Sequence, residues 1–475
     1  MNDVNATVVL PKKPVRRRWG RYVGATVGLL VVGTFLSWGA MQAWRRHQAQ
    51  HVLDEAIAAV DRSEQGWRLD DLEAARKVVP EAENPALVVL EARDLMPKEW
   101  QPALPSPRPQ CQLRPEQVEE LKAELQPLAP ALAKAKGLAA VSDGRFPSPE
   151  SKDPLAASPG CADAPVVARL LRMQVMVLAQ GHDAAGAGQA TLAIASTARA
   201  IGDERRLVAQ LMRLHCRNEL LFCVERLLGQ CQPSEELLAK LQRALEEEAA
   251  VPACRYAIEG ERAGHHQVAL AAEAGDIAVT KIGLLVTPPA NPWNDLVFGT
   301  LTTTLAREGH ARMLPVMSGL VDLTMLPPQE QAAAGAKLSG SWDFYVGNYR
   351  FFPELDKRVR RVPALFRANL VALRGSIVAV AAERYRRANN RWPAKVEDLT
   401  DGQPAPWAAD PFSGAPFQLE KRKDGLTVLS QARDNVPDTR PVIRLYDVAH
   451  RRQPPSKDAS EDQDPFDASP SGRSR

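Results

Sequence analysis

Val166–Gln230 reads VVARLLRMQVMVLAQGHDAAGAGQATLAIASTARAIGDERRLVAQLMRLHCRNELLFCVERLLGQ, and its apolar periodicity predicts three consecutive α-helices. Gly181-His182-Asp183 separates the first two helices, and Gly202-Asp203 separates the second from the third. Because connections this short join neighbouring antiparallel elements, we expect the three helices to stack against one another. The middle helix is rich in alanine and glycine, so we expect its neighbours to approach its backbone closely. This stretch predicts a mainly α-helical fold.

Helices are also predicted on both sides of this stretch. Ser234 is expected to be the N-cap of a helix whose leucines share one face, while Pro127 and Pro130 divide an amphipathic helix upstream. Shorter helical segments are predicted at residues 253–272, 294–307 and 328–338. The hairpins resemble tetratricopeptide arrays in architecture only, because no period of about 34 residues recurs. We therefore predict an irregular α-helical domain built of helical hairpins.

An uncharged run of 23 residues, Tyr22–Trp44, lies near the N-terminus. As a helix rising about 1.5 Å per residue, it would reach roughly 34 Å, which is enough to cross a hydrocarbon core about 30 Å thick. A cleaved export signal has a shorter apolar core, and Ser37-Trp38-Gly39 is the only triplet here that fits a cleavage site. We expect a retained transmembrane helix, with cleavage after export as the alternative.

The distribution of basic residues predicts the orientation of this span. Six lysines and arginines lie between residues 12 and 21, whereas only Arg45 and Arg46 follow the span closely. This bias places the N-terminus in the cytoplasm and the bulk of the chain outside the inner membrane of a bacterium. Gly20, Gly24 and Gly28 recur every four residues, a spacing that lets two membrane helices approach closely. They predict a homodimer contact, unless they only reflect the glycine content of such helices.

All six cysteines follow the span, in a compartment where disulfides can form. Cys216 and Cys223 are seven residues apart in one helix, about 10 Å between their Cα atoms, which is beyond the disulfide limit of about 7 Å. These two cysteines therefore cannot pair with each other, and the alternative to a bridge with another cysteine is a free, buried thiol at each site. The candidate bridges, in order of preference, are Cys111 with Cys161, which bracket a proline-rich region, and Cys231 with Cys254, which bracket one helix.

The C-terminal part predicts a long apolar helix followed by a small antiparallel sheet. The helix starts near Pro363 and ends at Asn389-Asn390, where a left-handed cap is expected. The segments APFQLEK and LTVLSQA are strand candidates, and Asp424-Gly425 between them is a hairpin signal. From Arg451 onward, proline, serine and mixed charge replace apolar residues, so disorder is predicted to the end of the chain.

Residues 375–436 resemble the headpiece of the major pseudopilins of type II secretion. The shared pattern consists of Tyr385, Arg391-Trp392-Pro393, Leu399, the run Asp410–Phe417, and Gly425–Ser430 leading to Asp434. The resemblance implies a pilin-like fold of a long helix with a small sheet. The whole arrangement also resembles single-pass bacterial membrane proteins of uncharacterised function.

The chain departs from the pseudopilin pattern in two ways. About 330 residues separate the span from the headpiece, and no prepilin cleavage motif is present, which argues against assembly into a pseudopilus. The family binds calcium through loop acids, for which only Asp434 and Asp438 are candidates here. Because calcium requires six to eight oxygen ligands, a surface turn is the favoured interpretation.

Composition excludes some functions. The 475 residues carry a formal net charge of +3, which gives no field strong enough to recruit nucleic acid. The best metal-like cluster is His265-His266 with Glu259 and Glu261, but adjacent histidines diverge on a helix, and partly exposed polar residues of a helix are the simpler interpretation. His215 beside Cys216 diverges in the same way, so no nucleophile is predicted there. No catalytic, cofactor or metal site is predicted.

The predicted organisation is a cytoplasmic basic tail (1–21), a transmembrane helix (22–44), a helical region (45–136), a Pro/Ser-rich loop (137–164), an α-helical domain (165–362), a pseudopilin-like unit (363–449) and a disordered tail (450–475). We expect a membrane-anchored extracytoplasmic scaffold or protein-binding module, associated with envelope or secretion machinery. Its expected partners are the lipid bilayer and envelope proteins. The alternatives are an envelope hydrolase with a site assembled from scattered residues and an extracytoplasmic ligand receptor.

Overall fold

The computed structural model describes residues 16–102, 104–140, 143–147, 159–274, 286–287, 294–338, 345–346, 349–351, 359, 361–400, 402–403, 405–430 and 440–455. The fold is mainly helical, with a three-stranded antiparallel sheet near the C-terminus. Asp434 and Asp438, the calcium candidates, lie outside the described residues.

The helices are α1 (Arg16–Ser63), α2 (Leu69–Ala74), α3 (Pro85–Asp94), α4 (Pro115–Leu125), α5 (Ala129–Lys136), α6 (Asp163–Gln180), α7 (Ala184–Ala200), α8 (Leu207–Gln230), α9 (Glu235–Ala250), α10 (Ala253–Ala274), α11 (Asn294–Met325), α12 (Gln331–Leu338) and α13 (Val362–Asn389). The strands are β1 (Val286–Thr287), β2 (Tyr345–Val346), β3 (Tyr349–Phe351), β4 (Gln418–Arg422), β5 (Gly425–Ser430) and β6 (Arg440–Tyr446).

Helices α6 to α9 form the centre of the fold, as their sequences predict. The Asp183 carboxylate accepts a hydrogen bond from the backbone N–H of Gly186 and caps α7, and the Ser234 hydroxyl does the same for Leu237 in α9. A Cβ added at Gly188 would lie 2.3 Å from Leu237 Cδ2. The small residues of α7 therefore let α9 pack directly on its backbone.

The predicted unit at 363–449 shares one core with the helical domain. Val371, Leu373 and Ile377 of α13 are buried in the same cluster as the apolar residues of α6 to α9. The inner residues of β5 and β6 belong to that cluster as well. The boundary expected near residue 362 therefore does not separate two packing units, because α13 is apolar around its circumference and is covered on two sides.

The C-terminal sheet has the strand order β4-β5-β6, with antiparallel neighbours. The hairpin predicted at Asp424-Gly425 joins β4 to β5, and Asn390 ends α13 with φ 54°, the expected left-handed cap. Strand β6 was not predicted from the sequence. It packs closely on α13, since a Cβ at Gly375 would lie 2.3 Å from Val442 Cγ1.

Among the described residues, α1 and α13 are long and apolar enough to cross a membrane. The apolar window of α13 is 61% buried inside the protein, whereas that of α1 is 0% buried. We assign α13 to the protein core, and α1 is the candidate membrane span.

Helix α1 continues without a break from its exposed apolar stretch into a second core. Leu53 and Val60 pack there with residues of α10 and α11, and Trp67 is fully buried beside them. An added Cβ at Gly24 or Gly28 would meet no atom within 4 Å in the described part of the chain. The homodimer contact through Gly20, Gly24 and Gly28 stays a prediction.

Part of the predicted Pro/Ser-rich loop at 137–164 is packed rather than exposed. Phe146 is buried, and the backbone N–H of Gly144 donates to the carbonyl of Arg199 at the end of α7. Upstream, α4 and α5 are separate helices, as Pro127 and Pro130 predict.

All six cysteines are free thiols, so the bridges Cys111–Cys161 and Cys231–Cys254 predicted from the sequence are not formed. Cys161 lies just before α6. Leu113, two residues after Cys111, donates its backbone N–H to the side chain of Gln180 at the opposite end of that helix. An 18-residue helix is about 27 Å long, far more than a disulfide spans. Cys231 is buried in the main core and Cys254 packs against the second core.

The first residues of the predicted disordered tail are ordered and form what we call the C-terminal latch, residues 451–453. Arg451 is buried and donates to the carbonyls of Cys231 and Tyr446 and to the carboxylate of Glu383, with N···O distances of 2.7–2.9 Å. Arg452 donates to the carbonyls of Ala179 and Gln180 at the end of α6. The tail prediction was wrong here because helix ends leave unsatisfied carbonyls that arginine side chains can bind.

We predict that Arg451→Ala lowers the free energy of unfolding of the full-length protein by about 3 kcal/mol, because buried carbonyls and part of the Glu383 charge lose their donor. Urea unfolding followed by circular dichroism measures this change. Arg422→Ala is the matched control, since its ion pair with Glu420 is about half exposed, and should cost less than about 1 kcal/mol. Equal losses of unfolding free energy in both variants would contradict a stabilising role of the C-terminal latch.

Candidate binding site

A cavity of about 890 Å³ opens between the end of α7, helix α8, the second half of α9 and the start of α10. We call it the charged cleft. Its charged lining residues are Lys77, Asp143, Arg199, Asp203, Arg213, Lys240, Arg243, Glu247 and Glu248. Its other lining residues include Leu192, Ala244, Val251, Pro252 and Tyr256. A volume of this size admits a peptide segment or a small molecule.

The floor of the charged cleft rests on a buried ion network. Glu248 has no exposed side-chain surface, and Arg213 binds both of its oxygens, at 2.7 and 3.1 Å. Arg217 donates to Glu248 Oε2 at 2.8 Å and to the Glu248 carbonyl at 2.8 Å, and its Nη1 lies 3.4 Å from Asn369 Oδ1 on α13. Arg213 also donates to the carbonyl of Gly202. The network thus ties α8 to α9, α13 and the α7–α8 turn.

The charge state of Glu248 follows from its two partners. Burial alone would raise the pKa of Glu248, but the charges of Arg213 and Arg217 and their hydrogen bonds lower it to about 2. The carboxylate therefore stays ionised at neutral pH and is unsuited to donate a proton. It is a fixed negative charge that holds Arg213 and Arg217 in place below the cleft.

The rim of the charged cleft carries one ion pair that is exposed to solvent and one that is partly buried, in which the Arg199 side chain is only 16% exposed. Lys77 lies 3.5 Å from Asp143, and Arg199 pairs with Glu247, whose side chain is about half exposed. Arg243 is also exposed on this rim. Because exposed ion pairs contribute little to stability, a charged ligand can exchange partners with them at small cost.

The part of the cleft between these charges is apolar. Leu192 and Ala244 lie along α7 and α9, and Val251-Pro252 leads into α10. The Tyr256 ring is held by the guanidinium of Arg205, whose Cζ lies 4.1 Å from the ring centroid. An apolar strip with charges of both signs on its rim suits an amphipathic ligand.

The structure separates His215 from Cys216, as the sequence indicates. His215 is exposed, whereas Cys216 is fully buried and its pKa is raised to about 12 by burial. Burial likewise raises the pKa of Cys254 to about 12 and raises those of Cys161 and Cys223. These thiols stay protonated at neutral pH and are poor nucleophiles.

The His265-His266 cluster is also separated by the structure. Glu259 pairs with Arg205 and Arg255, and Glu261 lies near His265. The described residues contain no group of three or more histidine, cysteine or acidic side chains that could hold a metal ion.

His266 instead forms a buried chain with two residues that the sequence did not connect to it. His266 Nδ1 lies 2.8 Å from His310 Nε2, and His310 Nδ1 lies 3.2 Å from Glu273 Oε1. We call these three residues the histidine relay. His310 lies on α11, 44 residues from His266, and no motif spacing marks it. The interpretation as partly exposed polar residues is therefore wrong for His266 and Glu259, which are buried, and the side chain of His265 is only 12% exposed.

The environment of His266 keeps it neutral. Its ring centroid lies 4.6 Å from that of Trp67, whose indole N–H donates to Asp61. Burial, His310 and Arg68 lower the pKa of His266 to about 3, and Asp61 only partly opposes them. The hydrogen bond between the histidines therefore joins one ring that donates to one that accepts.

Comparison with known proteins finds no match for this chain among protein-family models, curated proteins or solved structures.

We predict that protonation of His266 destabilises the fold at acidic pH. An unfolded histidine has a pKa near 6.5 and His266 titrates near 3, so between these values the unfolded state binds the additional proton. The free energy of unfolding should therefore fall as pH drops below about 6.5, by at most about 1.4 kcal/mol per pH unit. Urea unfolding at pH 7 and pH 5 measures the effect.

His266→Phe should show a smaller loss of stability between pH 7 and pH 5 than the unmodified protein, because it lacks this proton-binding group. His215→Gln changes an exposed histidine and should keep the original pH dependence. If His266→Phe keeps the original pH dependence, the histidine relay does not contribute to the loss of stability at acidic pH.

Proposed function

We propose that this chain is a single-pass membrane protein whose exported domain binds a segment of another envelope protein in the charged cleft. The main observation that supports this proposal is the composition of the charged cleft. It combines an apolar strip with exposed charges of both signs, a combination that matches an amphipathic protein segment. Asp143 and Glu247 stand among the basic residues of the same rim, which suits a segment with charges of both signs better than a nucleic acid or polyphosphate.

The anchoring part of the proposal is supported by α1. Its apolar stretch is fully exposed, which is unfavourable in water and favourable in a bilayer. The excess of lysine and arginine before Tyr22 favours a cytoplasmic N-terminus. The α1 helix then continues directly into the second core, so the anchor and the domain share one rigid element.

We further propose that the pseudopilin-like unit supports the cleft instead of assembling into a fibre. The resemblance, over residues 375–436, covers the second half of α13 and the strands β4 and β5, and in pseudopilins this unit belongs to a polymerising subunit. Here α13 packs against α8, α9 and the sheet, and Asn369 on α13 lies next to Arg217 below the cleft. A helix covered in this way has little free surface for a neighbouring subunit.

We expect an export-dependent reporter enzyme fused after Arg475 to be active, and one inserted after Lys13 of the full-length chain to be inactive. Alkaline extraction should leave the full-length protein in the membrane fraction. Release of a mature protein that begins near residue 40 would contradict the anchor, and an active reporter at residue 13 would reverse the orientation.

We expect a photo-crosslinking amino acid at Lys240 in the cleft to give a discrete adduct in native membranes, and the same amino acid at Glu116 on α4 to give none. Arg243→Glu should reduce the Lys240 adduct at least about tenfold, because losing a charged hydrogen bond costs about 1.5–3 kcal/mol. Arg243 is exposed, so this variant should remain folded.

The matched control is Lys122→Glu, which makes the same charge change on an exposed part of α4. It should leave the Lys240 adduct unchanged. Equal adducts at residues 116 and 240, or no response to Arg243→Glu, would contradict recognition by the cleft.

A further inference from the structure

A second cavity, of about 250 Å³, lies between α1 and α11 where α1 leaves its uncharged stretch. Trp44, Arg45 and Val52 line it from α1, and Glu308 and Arg312 line it from α11. We call it the juxtamembrane cavity. The function proposed above does not use it.

The position of this cavity along α1 corresponds to the headgroup layer of a bilayer. The uncharged run ends at Trp44 and is long enough to fill the hydrocarbon core. Each headgroup layer adds about 5–7 Å, which a helix covers in about four residues, so Arg45 and the next turn lie at that depth. Trp44 is 64% exposed, as suits an indole at the membrane interface.

The charges in this cavity are of both signs. Arg45 Nη2 lies 3.6 Å from Glu308 Oε1, beyond hydrogen-bond distance, and Arg312 lines the same space. The side chain of Arg45 is 40% exposed and that of Glu308 is 22% exposed, so both remain accessible. Two guanidinium groups favour a phosphate, while a carboxylate favours a primary ammonium group.

We propose that the juxtamembrane cavity binds the phosphoethanolamine headgroup of a membrane phospholipid. Arg45 and Arg312 bind the phosphate, Glu308 accepts hydrogen bonds from the ammonium group, and the acyl chains follow Trp44 along the exposed apolar face of α1. The proposal rests on the membrane anchoring proposed above, and goes beyond it by assigning a lipid and a site.

The carboxylate distinguishes this headgroup from other common ones. Phosphatidylglycerol carries the same phosphate charge but ends in a neutral glycerol, so it offers Glu308 hydroxyl groups and no cation. Phosphatidylcholine carries a trimethylammonium group, which has no N–H to donate. Phosphatidylethanolamine is the lipid among these three that satisfies the arginines and the glutamate together.

The test uses the full-length protein in vesicles of equal parts phosphatidylethanolamine, phosphatidylglycerol and phosphatidylcholine with identical acyl chains. After gentle detergent extraction, native mass spectrometry counts the lipids that remain bound. We expect one phosphatidylethanolamine per chain, retained about tenfold more often than either other lipid, because charged hydrogen bonds discriminate by this amount. Soluble glycerophosphoethanolamine should not displace it, because it lacks the acyl chains.

Two variants separate the roles of the charges. Glu308→Gln should lose the preference for phosphatidylethanolamine while still retaining phospholipid, and Arg312→Gln should lose retention of all three lipids. Glu119→Gln and Arg422→Gln alter exposed residues elsewhere and should behave as the unmodified protein.

The outcomes also distinguish this proposal from the proposed function. A protein that resists alkaline extraction but retains the three lipids equally, or keeps its preference in Glu308→Gln, overturns the headgroup site and leaves the anchor intact. A protein released from the membrane by alkaline extraction overturns both.

Discussion

The carboxylate of Glu248 is fully buried, and a buried charge is stable only when partners of opposite sign replace its hydration. Arg213 and Arg217 supply those partners from successive turns of α8. Their remaining donors bind the Gly202 carbonyl and contact Asn369, so this single charge fixes how four parts of the chain meet. The floor of the charged cleft is the result. Loss of either arginine or of Glu248 would leave unpaired charge in the core.

Arginine side chains perform a related task at the ends of helices. The last carbonyls of α6 and α8 have no partner within their own helices. Arg452 binds those of α6, and Arg451 binds the Cys231 carbonyl just after α8. Arg226, buried without a carboxylate partner in the described contacts, binds the carbonyls of the 108–111 loop, and its pKa is lowered to about 10 by burial. The C-terminal latch and the 108–111 loop are thereby joined to the helical domain.

Helix α1 connects the exposed apolar stretch to the second core without a flexible linker. The juxtamembrane cavity and the pair Leu53 and Val60 follow one another along this helix, and Glu64, the first residue after it, contacts Arg262. The histidine relay lies in the same core, on α10 and α11.

Interactions between residues that are close together in the chain could be predicted from the sequence. The helices α6 to α9, the Ser234 cap, the division at Pro127 and the turn at Asp424-Gly425 depend on residues within a few positions of one another, which periodicity and side-chain chemistry specify. Only the tertiary structure decided the free state of the cysteines, the order of the Arg451 segment, the pairing of His266 with His310 and the Glu248 network. These contacts join residues 31 to 220 positions apart, and their formation depends on which helix faces pack together. Chain spacing therefore predicted the Cys111–Cys161 bridge across opposite ends of α6, because it contains no information about the distance that an intervening helix imposes.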